Sequence, residues 1–301
     1  MDFNLAQFQQ EIEKRKQYID TCLQKHLTSS DAYPPIIHEA MHYSIFNGGK
    51  RLRPIMVLEG TKLAGASQES VVPIACALEM IHCYSLVHDD LPAMDDDNLR
   101  RGKPTCHIVF GEANAILTGD ALLTRAFAVM TESAGMPGVK PENLIRVIRE
   151  IADAAGSQGM IGGQVIDLQS EGQDINYETL KTLHSLKTGK LFQAALRSGA
   201  ILGDMNQRDM QFIDKYSSNF GLAFQITDDI LDVNGNETVI GKPTGSDAKN
   251  DKTTYPGLFG LEKSRQLAED CVQACIDSLQ KFGPEADFLR QLAYFTLQRQ
   301  N

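Results

Sequence analysis

The sequence of 301 residues predicts an all-α fold, a single domain (residues 1–301) in which about ten helices form a bundle around a central cavity. Apolar residues recur every three or four positions along almost the whole chain, as at Leu144, Ile148 and Ile151. No alternating run lies between hairpin turns, so no β-sheet is expected. The stretch from Val71 to Val87 is apolar on nearly all sides, which is typical of a helix in the middle of a bundle.

Helix boundaries are predicted at proline and glycine clusters, which fall at residues 34–35, 48–49, 92, 104 and 137–141. A group of glycines in residues 156–163 predicts a kink or a close approach of two helices. The helix predicted over 177–201 is interrupted at Thr188 and Gly189, which predicts a bend. The polar stretch 234–257 is longer than the ~12 to 15 residues usual for a structureless loop, which predicts a functional lid.

The chain has 29 Lys and Arg against 39 Asp and Glu, a formal net charge of −10. Such a charge repels nucleic acids and anionic lipids, which argues against those partners. No run of about 20 apolar residues is found, so no stable membrane insertion is expected. The six cysteines lie mostly in apolar helical patterns, as expected for reduced, buried thiols of a cytoplasmic protein.

The first candidate site is the aspartate-rich segment HDDLPAMDDDNLRRGKPT, which starts at residue 88. Asp89 and Asp90 lie in the last turn of the core helix, because Pro92 cannot continue it. Asp95 follows in the loop. Carboxylates at a helix C-terminus are opposed by the helix dipole and by one another, so they require a cation, and oxygen ligands suit magnesium. A solvated acidic turn is the alternative interpretation of this cluster taken alone.

A second cluster, FQITDDILDVNG, starts at residue 224 on a segment with helical spacing. Gln225, Asp228 and Asp232 are spaced i, i+3 and i+7, which places them on one helix face, and Asp229 flanks them. Metal centres of helical bundles are built from side chains on facing helices. The two clusters together therefore predict a magnesium site that holds several ions.

Lysines and arginines that can bind phosphate fall in four groups near glycine-rich turns or carboxylates. These are Lys50, Arg51 and Arg53; Arg100, Arg101 and Lys103; Lys187 and Lys190; and Lys242, Lys249 and Lys252. Each group alone is compatible with ordinary surface charge. Combined with the carboxylates and the predicted metal, they indicate a polyphosphate ligand.

Six ordered motifs resemble the trans-isoprenyl diphosphate synthases, in their bacterial short-chain branch. They are GGKRLRP, DDLPAMDDDNLRRGKPT, GGQVIDL, LKTGKL, FQITDDILD and GKPTGSDAKNDKTTYP. The resemblance covers residues from about Phe46 to Tyr255 and extends more loosely to both ends. Two departures are Asn98, where many relatives carry an acid, and the C-terminal LQRQN, which lacks a final lysine found in some relatives.

The resemblance implies that Asp89 and Asp95 bind two Mg²⁺ ions and Asp228 a third, with Asp90, Asp229 and Asp232 acting indirectly. It assigns an allylic diphosphate to Arg100, Lys187 and Lys242. It assigns isopentenyl diphosphate, bound without metal, to Lys50, Arg53, His82 and Arg101. In such a site, metal ions and arginines neutralise the charge of a departing diphosphate.

The resemblance also implies roles along the hydrocarbon path. Oxygens of the Lys187–Thr188 step and of Gln225 would face an allylic cation, with Gln164 and Asp167 supporting Lys187. Tyr84 would form the floor of the chain pocket, about 7.5 Å along the helix before Asp89. Its alternative role is simple core packing.

The implied activity is that of a homodimeric prenyltransferase. It would join isopentenyl diphosphate head-to-tail to dimethylallyl or geranyl diphosphate through a carbocation and give farnesyl diphosphate, with the departing diphosphate as base. Three alternatives stay open: a geranylgeranyl diphosphate synthase, a class I terpene cyclase and a non-catalytic regulatory homologue.

Overall fold

The computed structural model describes residues 4–234 and 252–299. The helices, numbered in chain order, are α1 (Leu5–His26), α2 (Pro35–Ile45), α3 (Leu52–Leu63), α4 (Val72–Asp89), α5 (Cys106–Phe110), α6 (Glu112–Thr131), α7 (Pro141–Ala155), α8 (Met160–Ser170), α9 (Tyr177–His184), α10 (Lys190–Leu202), α11 (Gln207–Asn234), α12 (Tyr255–Phe259), α13 (Leu261–Ser278) and α14 (Asp287–Gln298). The predicted all-α fold is confirmed. Twelve of the helices in these ranges have eight residues or more, slightly above the predicted ten.

One small β-ribbon interrupts the helices, so the expectation of no sheet is wrong at this place. Strands β1 (Leu99–Arg100) and β2 (Lys103–Pro104) pair antiparallel. The turn between them has positive φ at both central residues, 55° at Arg101 and 75° at Gly102, as a tight two-residue hairpin requires. Strands of two residues are too short to show an alternating pattern, which is why the sequence did not reveal them.

Helix α4 is the core of the bundle, as predicted. It packs against α3 and α6, and 13 of its 18 residues are buried. It begins with Pro73 near its N-terminus, where the missing N–H costs no hydrogen bond, and it ends at Asp89, three residues before Pro92. In the described part of the chain, Gln68–Asp89 is the one stretch whose length and composition would suit a membrane span, in contrast to the expectation that none comes close. Its apolar window is 83% buried, as for a core helix.

The other helices bring three segments to one end of α4. Helix α10 packs against α3 and α7, and α11 packs against α10 and α13. The C-terminal helix α14 packs against α13, α11 and α1. The C-terminal half of α4, residues 185–189 just before α10 and the C-terminal half of α11 carry many of the predicted site residues.

The predicted bend in the helix over 177–201 is confirmed as a π-helical turn, Ser185–Gly189, between α9 and α10. The predicted kink at the glycine group is also present, since α7 ends at Ala155 and α8 begins at Met160. Gly163 on α8 lies against the π turn, and a Cβ atom there would be 2.3 Å from the backbone nitrogen of Lys187. The close approach of α8 to the π turn therefore depends on this glycine.

The predicted lid over residues 234–257 lies for the most part outside the described residues. Lys242 and Lys249 are among the residues not described. Residues 252–257 are described and lead into α12.

Candidate active site

The first aspartate cluster is folded back on the end of α4. The backbone N–H of Asp95 donates to the carbonyl oxygen of Asp89 at 2.9 Å, and that of Asp96 donates to the carbonyl of Leu91 at 3.2 Å. These bonds close the loop after Pro92. They hold Asp89 and Asp95 next to each other, as the sequence analysis predicted for two ligands of one site.

Negative charge in this cluster is only partly compensated. Burial raises the pKa of Asp89 to about 6, and the neighbouring carboxylates of Asp95 and Asp90 add to the rise, while Lys187 opposes it. The Oδ1 atom of Asp95 is buried without a hydrogen bond. A buried carboxylate without a full set of partners is a site prepared for a cation.

The β-ribbon places two consecutive arginines in different surroundings. Arg100 donates from Nε to Oδ1 of the buried Asp90 at 2.6 Å, and its Nη2 lies 2.5 Å from the same oxygen. Arg101 donates from Nη1 to the carbonyl oxygen of Gly48 at 2.5 Å. Gly49 has a φ of 114°, and a Cβ atom there would lie 2.7 Å from Nη1 of Arg101. The glycine pair before Lys50 therefore makes room for Arg101.

The residues predicted to bind isopentenyl diphosphate share one strongly positive environment. Burial lowers the pKa of His82 well below its usual value, and Arg53 and Arg101 lower it further, so the imidazole is neutral. Burial lowers the pKa of Lys50 to about 8, with Arg299 and Arg101 contributing. It also lowers the pKa of Arg53 to about 10. These groups therefore form a cationic cluster in which positive charges repel one another.

Arg51 does not belong to this cluster, although its motif grouped it with the phosphate-binding cations. Its guanidinium is buried, with Nε 2.7 Å from Asp20, Nη1 2.8 Å from Glu79 and Nη2 2.7 Å from the carbonyl of Ile45. It therefore joins α1, α2 and α4 and is not available to a ligand. The sequence alone did not distinguish it from Lys50 and Arg53, because the carboxylates that bind it are 28 or more residues away in the chain.

The second aspartate cluster forms a chain of hydrogen bonds with the π turn. Thr188 donates from Oγ1 to Oε1 of Gln225 at 3.0 Å, and Gln225 donates from Nε2 to Oδ1 of Asp229 at 3.1 Å. The other oxygen of Asp229 accepts the backbone N–H of Tyr255 at 3.0 Å. Thr188 and Gln225 thus lie together, as predicted. Asp229 positions Gln225 and is already occupied by two donors.

Two lysines meet at Asp167 on α8. Lys187 donates to its Oδ2 at 2.6 Å, and Lys252 donates to the same atom at 3.2 Å. Burial alone would raise the pKa of Asp167, but the two ammonium groups outweigh it and hold the pKa below its usual value. Asp167 therefore supports Lys187, as predicted.

Lys252 was not among the predicted site residues, which included Lys242 from the same segment. Its Nζ lies 3.6 Å from Oδ1 of Asp95 and 3.7 Å from Glu171, so it joins α8 to the first aspartate cluster. Its sequence context grouped it with Lys242 and Lys249 as a cation that can bind phosphate, without a specific role. Lys242 itself lies outside the described residues.

Arg299 is a second residue that the sequence analysis missed. Its Nη2 lies 2.6 Å from Oδ1 of Asp228, the carboxylate predicted to bind the third metal ion. The same atom donates to the carbonyl of Phe224 at 2.6 Å, and the guanidinium lies 3.8 Å above the ring of Phe224. Residue spacing could not predict this contact between the C-terminal tail and the second aspartate cluster, because 71 positions separate Asp228 from Arg299.

Tyr84 and Gln164 have buried polar atoms that lack hydrogen-bond partners among the described residues. Tyr84 lies on α4 with its ring edge-on to His88, at 5.7 Å between ring centres, and its hydroxyl is without a partner. Burial raises its pKa to about 12. Neither the oxygen nor the nitrogen of the Gln164 amide has a partner among the described residues, so the prediction that Gln164 supports Lys187 is wrong as far as a hydrogen bond is concerned. Such groups are expected where a ligand approaches.

The donor atoms of the site fit magnesium that arrives with a phosphate ligand. Asp89, Asp95 and Asp228 offer only oxygen donors, which magnesium prefers. Within residues 4–234 and 252–299, no three His, Cys, Asp or Glu side chains form a complete ion site by themselves. Magnesium commonly takes one or two carboxylates and fills its other positions with water and substrate phosphates. The Oδ1 atom of Asp95, which accepts no hydrogen bond from the described residues, and the raised pKa of Asp89 agree with such a site.

The Lys50–Arg53–His82–Arg101 cluster and both aspartate clusters belong to one site. The charge of Asp228 acts on Lys50 and Arg53, and the charge of Lys187 acts on Asp89. Carboxylates from α4 and α11 thus interact electrostatically with positive groups from α3, the π turn and the β-ribbon. This is an arrangement for binding more than one phosphorylated ligand.

Comparisons with known proteins agree with this arrangement. Residues 34–291 match the sequence profile of the polyprenyl synthetase family. A geranylgeranyl diphosphate synthase of Cyanophora paradoxa is 43% identical over 302 aligned positions, covering 100% of this chain and 98% of the relative. A farnesyl diphosphate synthase of Escherichia coli K12 is 46% identical over 269 residues, covering 88% of this chain and 89% of the relative.

A solved structure from Zymomonas mobilis, described as an FPP/GFPP synthase without ligand, superimposes with a TM-score of 0.86 at 36% identity. It covers 98% of this chain and 100% of its own. Because the family profile spans residues 34–291 and the relatives align along most of both chains, this chain belongs to the polyprenyl synthetase family and is a trans-prenyltransferase.

Proposed function

We propose that this protein condenses isopentenyl diphosphate head-to-tail with dimethylallyl diphosphate and then with geranyl diphosphate, and releases farnesyl diphosphate. One observation carries the proposal: two carboxylate clusters and a separate cationic cluster belong to a single site. Carboxylates suit a metal-bound diphosphate, whereas the cations suit a second diphosphate held without metal. A two-substrate condensation needs both.

The allylic diphosphate is assigned to the side of the aspartate clusters. Asp89, Asp95 and Asp228 would hold Mg²⁺, three ions in all. Ions held there would neutralise the leaving diphosphate and would act as Lewis acids on the allylic carbon–oxygen bond. Arg100 and Lys187 donate hydrogen bonds to the same diphosphate, and each is oriented by a buried carboxylate, at 2.6 Å in both cases.

We assign Lys252 to the same diphosphate, because its Nζ lies between Asp95 and Asp167. This residue supplements Lys242, which the resemblance implies but which is outside the described residues. A flexible ammonium group near the leaving oxygens stabilises charge that develops as the bond breaks.

The carbocation is assigned to the π turn and to Gln225. The Thr188 hydroxyl and the Gln225 amide are fixed by the hydrogen bonds that end at Asp229. Fixed dipoles stabilise a developing positive charge without reorganisation, which solvent cannot do. The oxygens of the Lys187–Thr188 step would take part in the same way.

Isopentenyl diphosphate is assigned to Lys50, Arg53, His82 and Arg101. Burial is the main cause of the lowered pKa values of Lys50 and Arg53, and neighbouring arginines add to it; a dianion that binds among these groups would stabilise their charged forms. His82 is neutral and can donate one hydrogen bond. After condensation the released diphosphate accepts the proton, so no side-chain base is required.

The floor of the chain pocket is assigned to Tyr84, which favours the fifteen-carbon product. The alternative is a geranylgeranyl diphosphate synthase, and the relative from Cyanophora paradoxa, 43% identical across the whole chain, favours it. The two activities differ in how deep the pocket is below Asp89.

The proposal includes a single domain over residues 1–301, a homodimer and a cytoplasmic location. Apolar side chains exposed on α5 and α6 support self-association: Ile108 (51% exposed), Val109 (47%), Ile116 (46%) and Leu117 (55%). The six cysteines are free and buried, as expected in a reducing compartment.

The test is a product assay. Purified protein is incubated with labelled isopentenyl diphosphate, dimethylallyl diphosphate and Mg²⁺, and the chain length of the dephosphorylated products is measured by chromatography. We expect fifteen-carbon farnesol as the main product and no product when Mg²⁺ is chelated. A main product of twenty carbons would favour the alternative, and no condensation with either primer would refute the proposed activity.

A further inference from the structure

The turn between α2 and α3 is held by one buried guanidinium, that of Arg51. Its Nε donates to Asp20 on α1 at 2.7 Å, and its Nη1 donates to Glu79 on α4 at 2.8 Å. Its Nη2 donates to the carbonyl oxygen of Ile45 at 2.7 Å. Ile45 is the last residue of α2, so this bond satisfies a carbonyl that the helix leaves open. A side chain that is only 1% exposed thus joins three helices where α3 begins.

The backbone of Arg51 adopts a conformation that its residue type does not favour. Its φ is 53° and its ψ is 35°, in the left-handed region. A Cβ atom is crowded there, so glycine is the usual residue at such a position. Arg51 is also the N-cap residue of α3, and its carbonyl oxygen accepts the N–H of Ile55 at 3.1 Å. The hydrogen bonds of the side chain therefore stabilise a backbone angle that sets how the chain enters α3.

Three residues of the cationic cluster depend on this turn. Lys50 directly precedes Arg51, and Arg53 lies in the first turn of α3. Arg101 of the β-ribbon donates to the carbonyl oxygen of Gly48, within the same turn, at 2.5 Å. The turn therefore fixes cations from α3 and from the β-ribbon relative to one another.

His82, the fourth residue of the cluster, is linked to Arg51 through α4. Glu79 lies three residues before His82, and residues with this spacing are neighbours on a helix surface. Burial opposes a charge on Arg51, but the charge of Glu79 outweighs it and raises the pKa of the guanidinium above its usual value. The contact is therefore an ion pair, and charge-assisted hydrogen bonds of this kind are the strong ones. It sets the position of the turn relative to His82.

We propose that Arg51 is a positioning residue for isopentenyl diphosphate: it holds the turn that brings Lys50, Arg53 and Arg101 together with His82. This rests on the proposed function, in which those four residues bind that diphosphate. Arg51 itself does not touch the substrate. Its planar fork reaches three acceptors in fixed directions, whereas the ammonium group of a lysine is a point charge on a flexible stem.

Steady-state kinetics of Arg51→Lys tests the positioning role. This variant keeps a positive charge beside Glu79, so no buried carboxylate is left unpaired, but it loses the fork. The KM for isopentenyl diphosphate should rise about tenfold or more, as expected when binding groups are displaced by about 1 Å. The KM for dimethylallyl diphosphate should stay near the wild-type value, because the turn carries none of the residues assigned to that substrate.

Arg197→Lys is the matched control. Arg197 on α10 also joins helices, through Glu150 on α7 and Asp214 on α11, and both partners lie outside the site. This variant should lower thermal stability but leave both KM values at the wild-type level. The positioning role is overturned if Arg197→Lys raises the KM for isopentenyl diphosphate as much as Arg51→Lys does. It is also overturned if Arg51→Lys raises both KM values equally, because general loss of stability would then be the cause.

Direct binding separates this role from the proposed function. Isothermal titration calorimetry measures the Kd of isopentenyl diphosphate for the full-length protein, with Mg²⁺ and a non-reactive bisphosphonate on the metal side. Arg51→Lys should bind about tenfold or more weakly than the wild type. Asp20→Asn changes only a partner that is 30% exposed, so it keeps the fold even where Arg51→Lys does not, and it should weaken binding in the same direction.

The two possible failures differ in the wild type. If the wild type binds isopentenyl diphosphate and the folded variants bind it as tightly, the positioning role is wrong and the proposed function stands. If the wild type does not bind it, the assignment of the cationic cluster to this substrate is itself wrong.

Discussion

At the scale of single residues, unsatisfied groups indicate where ligands act. The Tyr84 side chain is buried, at 5% exposure, yet its hydroxyl has no hydrogen-bond partner in the described part of the chain. A buried hydroxyl without a partner costs about 1 to 3 kcal/mol, so packing alone would favour phenylalanine here. The ring lies five residues before Asp89 on α4, where a growing chain would descend from the metal site.

Replacing Tyr84 should therefore change product length. Tyr84→Ala removes the ring and should shift the main product from fifteen to twenty carbons or more, with a smaller effect on the rate of condensation. Tyr84→Phe is the control, because it keeps the ring and removes only the unsatisfied hydroxyl; it should keep the fifteen-carbon product. Chain lengths from both variants are compared by chromatography. If Tyr84→Ala still stops at fifteen carbons, Tyr84 is a core residue.

A lowered lysine pKa predicts how activity depends on pH. Burial and the neighbouring Arg299 lower the pKa of Lys50 to about 8, so its charge is present below that pH and is lost above it. The value of kcat/KM for isopentenyl diphosphate reports the free enzyme and should fall above about pH 8. Lys50→Arg should move this decline to higher pH.

The same pH series for dimethylallyl diphosphate, measured with saturating isopentenyl diphosphate, is the internal control. It should not show the decline near pH 8, because Lys50 is assigned to the other substrate. An identical decline for both substrates would show that Lys50 is not selective for isopentenyl diphosphate.

At the scale of elements, the π turn Ser185–Gly189 connects the metal side of the site to the carbocation side. Lys187 points from it to Asp167, and Thr188 bonds to Gln225. The turn is held against α8 by the close approach at Gly163. A short irregular segment thus sets the position of two proposed catalytic groups.

Adding a methyl group at Gly163 should displace this turn. The new Cβ would lie 2.3 Å from the backbone nitrogen of Lys187, and backbone cannot yield as a flexible side chain does. Gly163→Ala should lower the free energy of unfolding by about 1 to 3 kcal/mol. It should lower kcat by roughly 10- to 100-fold, the effect expected of a displacement near 1 Å.

Gly135→Ala is the matched substitution for this experiment. No atom lies within 4 Å of a Cβ atom at that position, so stability and kcat should stay at the wild-type level. The KM for isopentenyl diphosphate should be unchanged in both variants. Unchanged kcat in Gly163→Ala would mean that the position of the π turn does not limit catalysis.

Elements that depend on local sequence could be predicted. The core helix α4 followed from its apolar run and Pro92, and a bend at the place of the π turn followed from Thr188 and Gly189 in a helical pattern. The β-ribbon could not be predicted, because strands of two residues have no period and because Arg101 adopts a positive φ that its residue type does not favour.

Contacts between distant segments of the chain could not be predicted either. The structural role of Arg51 depends on Asp20 and Glu79, and the position of Arg299 depends on Asp228. The sequence shows that Lys252 carries a positive charge, but its position beside Asp95 could be known only from the folded structure. Sequence spacing identified the aspartate clusters because their members lie within one or two helical turns.

At the scale of the whole molecule, a chain with a net charge of −10 concentrates positive charge in one site. The site combines residues from α3, α4, the β-ribbon, the π turn, α11 and the C-terminal tail. Because these segments are distant in sequence, the site forms only when the bundle is complete. Outside this site, the exposed apolar side chains of α5 and α6 form the patch that we propose as the interface of a homodimer.

Charging the α5–α6 patch should prevent self-association. Ile116→Asp combined with Leu117→Asp places two charges in the proposed interface, and light scattering should show a shift from about 66 kDa, twice the chain mass of 33.2 kDa, to the monomer mass. Tyr18→Asp on α1 is the control, since Tyr18 and Ile116 are both 46% exposed. A wild-type protein that already scatters as a monomer would contradict the homodimer.

The most direct test of the account is the loss of activity when a single carboxylate is neutralised in either aspartate cluster. Asp89→Asn and Asp228→Asn should each lower kcat for condensation by about 10² to 10³-fold or more. Each substitution removes a carboxylate that is proposed to hold a metal ion, and the charge of that ion would stabilise the leaving diphosphate. Asp153→Asn, at an exposed acid on α7, should leave kcat unchanged. Thermal unfolding should show that Asp89→Asn is at least as stable as the wild type, since the substitution removes a buried charge. Near-normal turnover in either cluster variant, with the fold intact, would contradict a reaction driven by both carboxylate clusters.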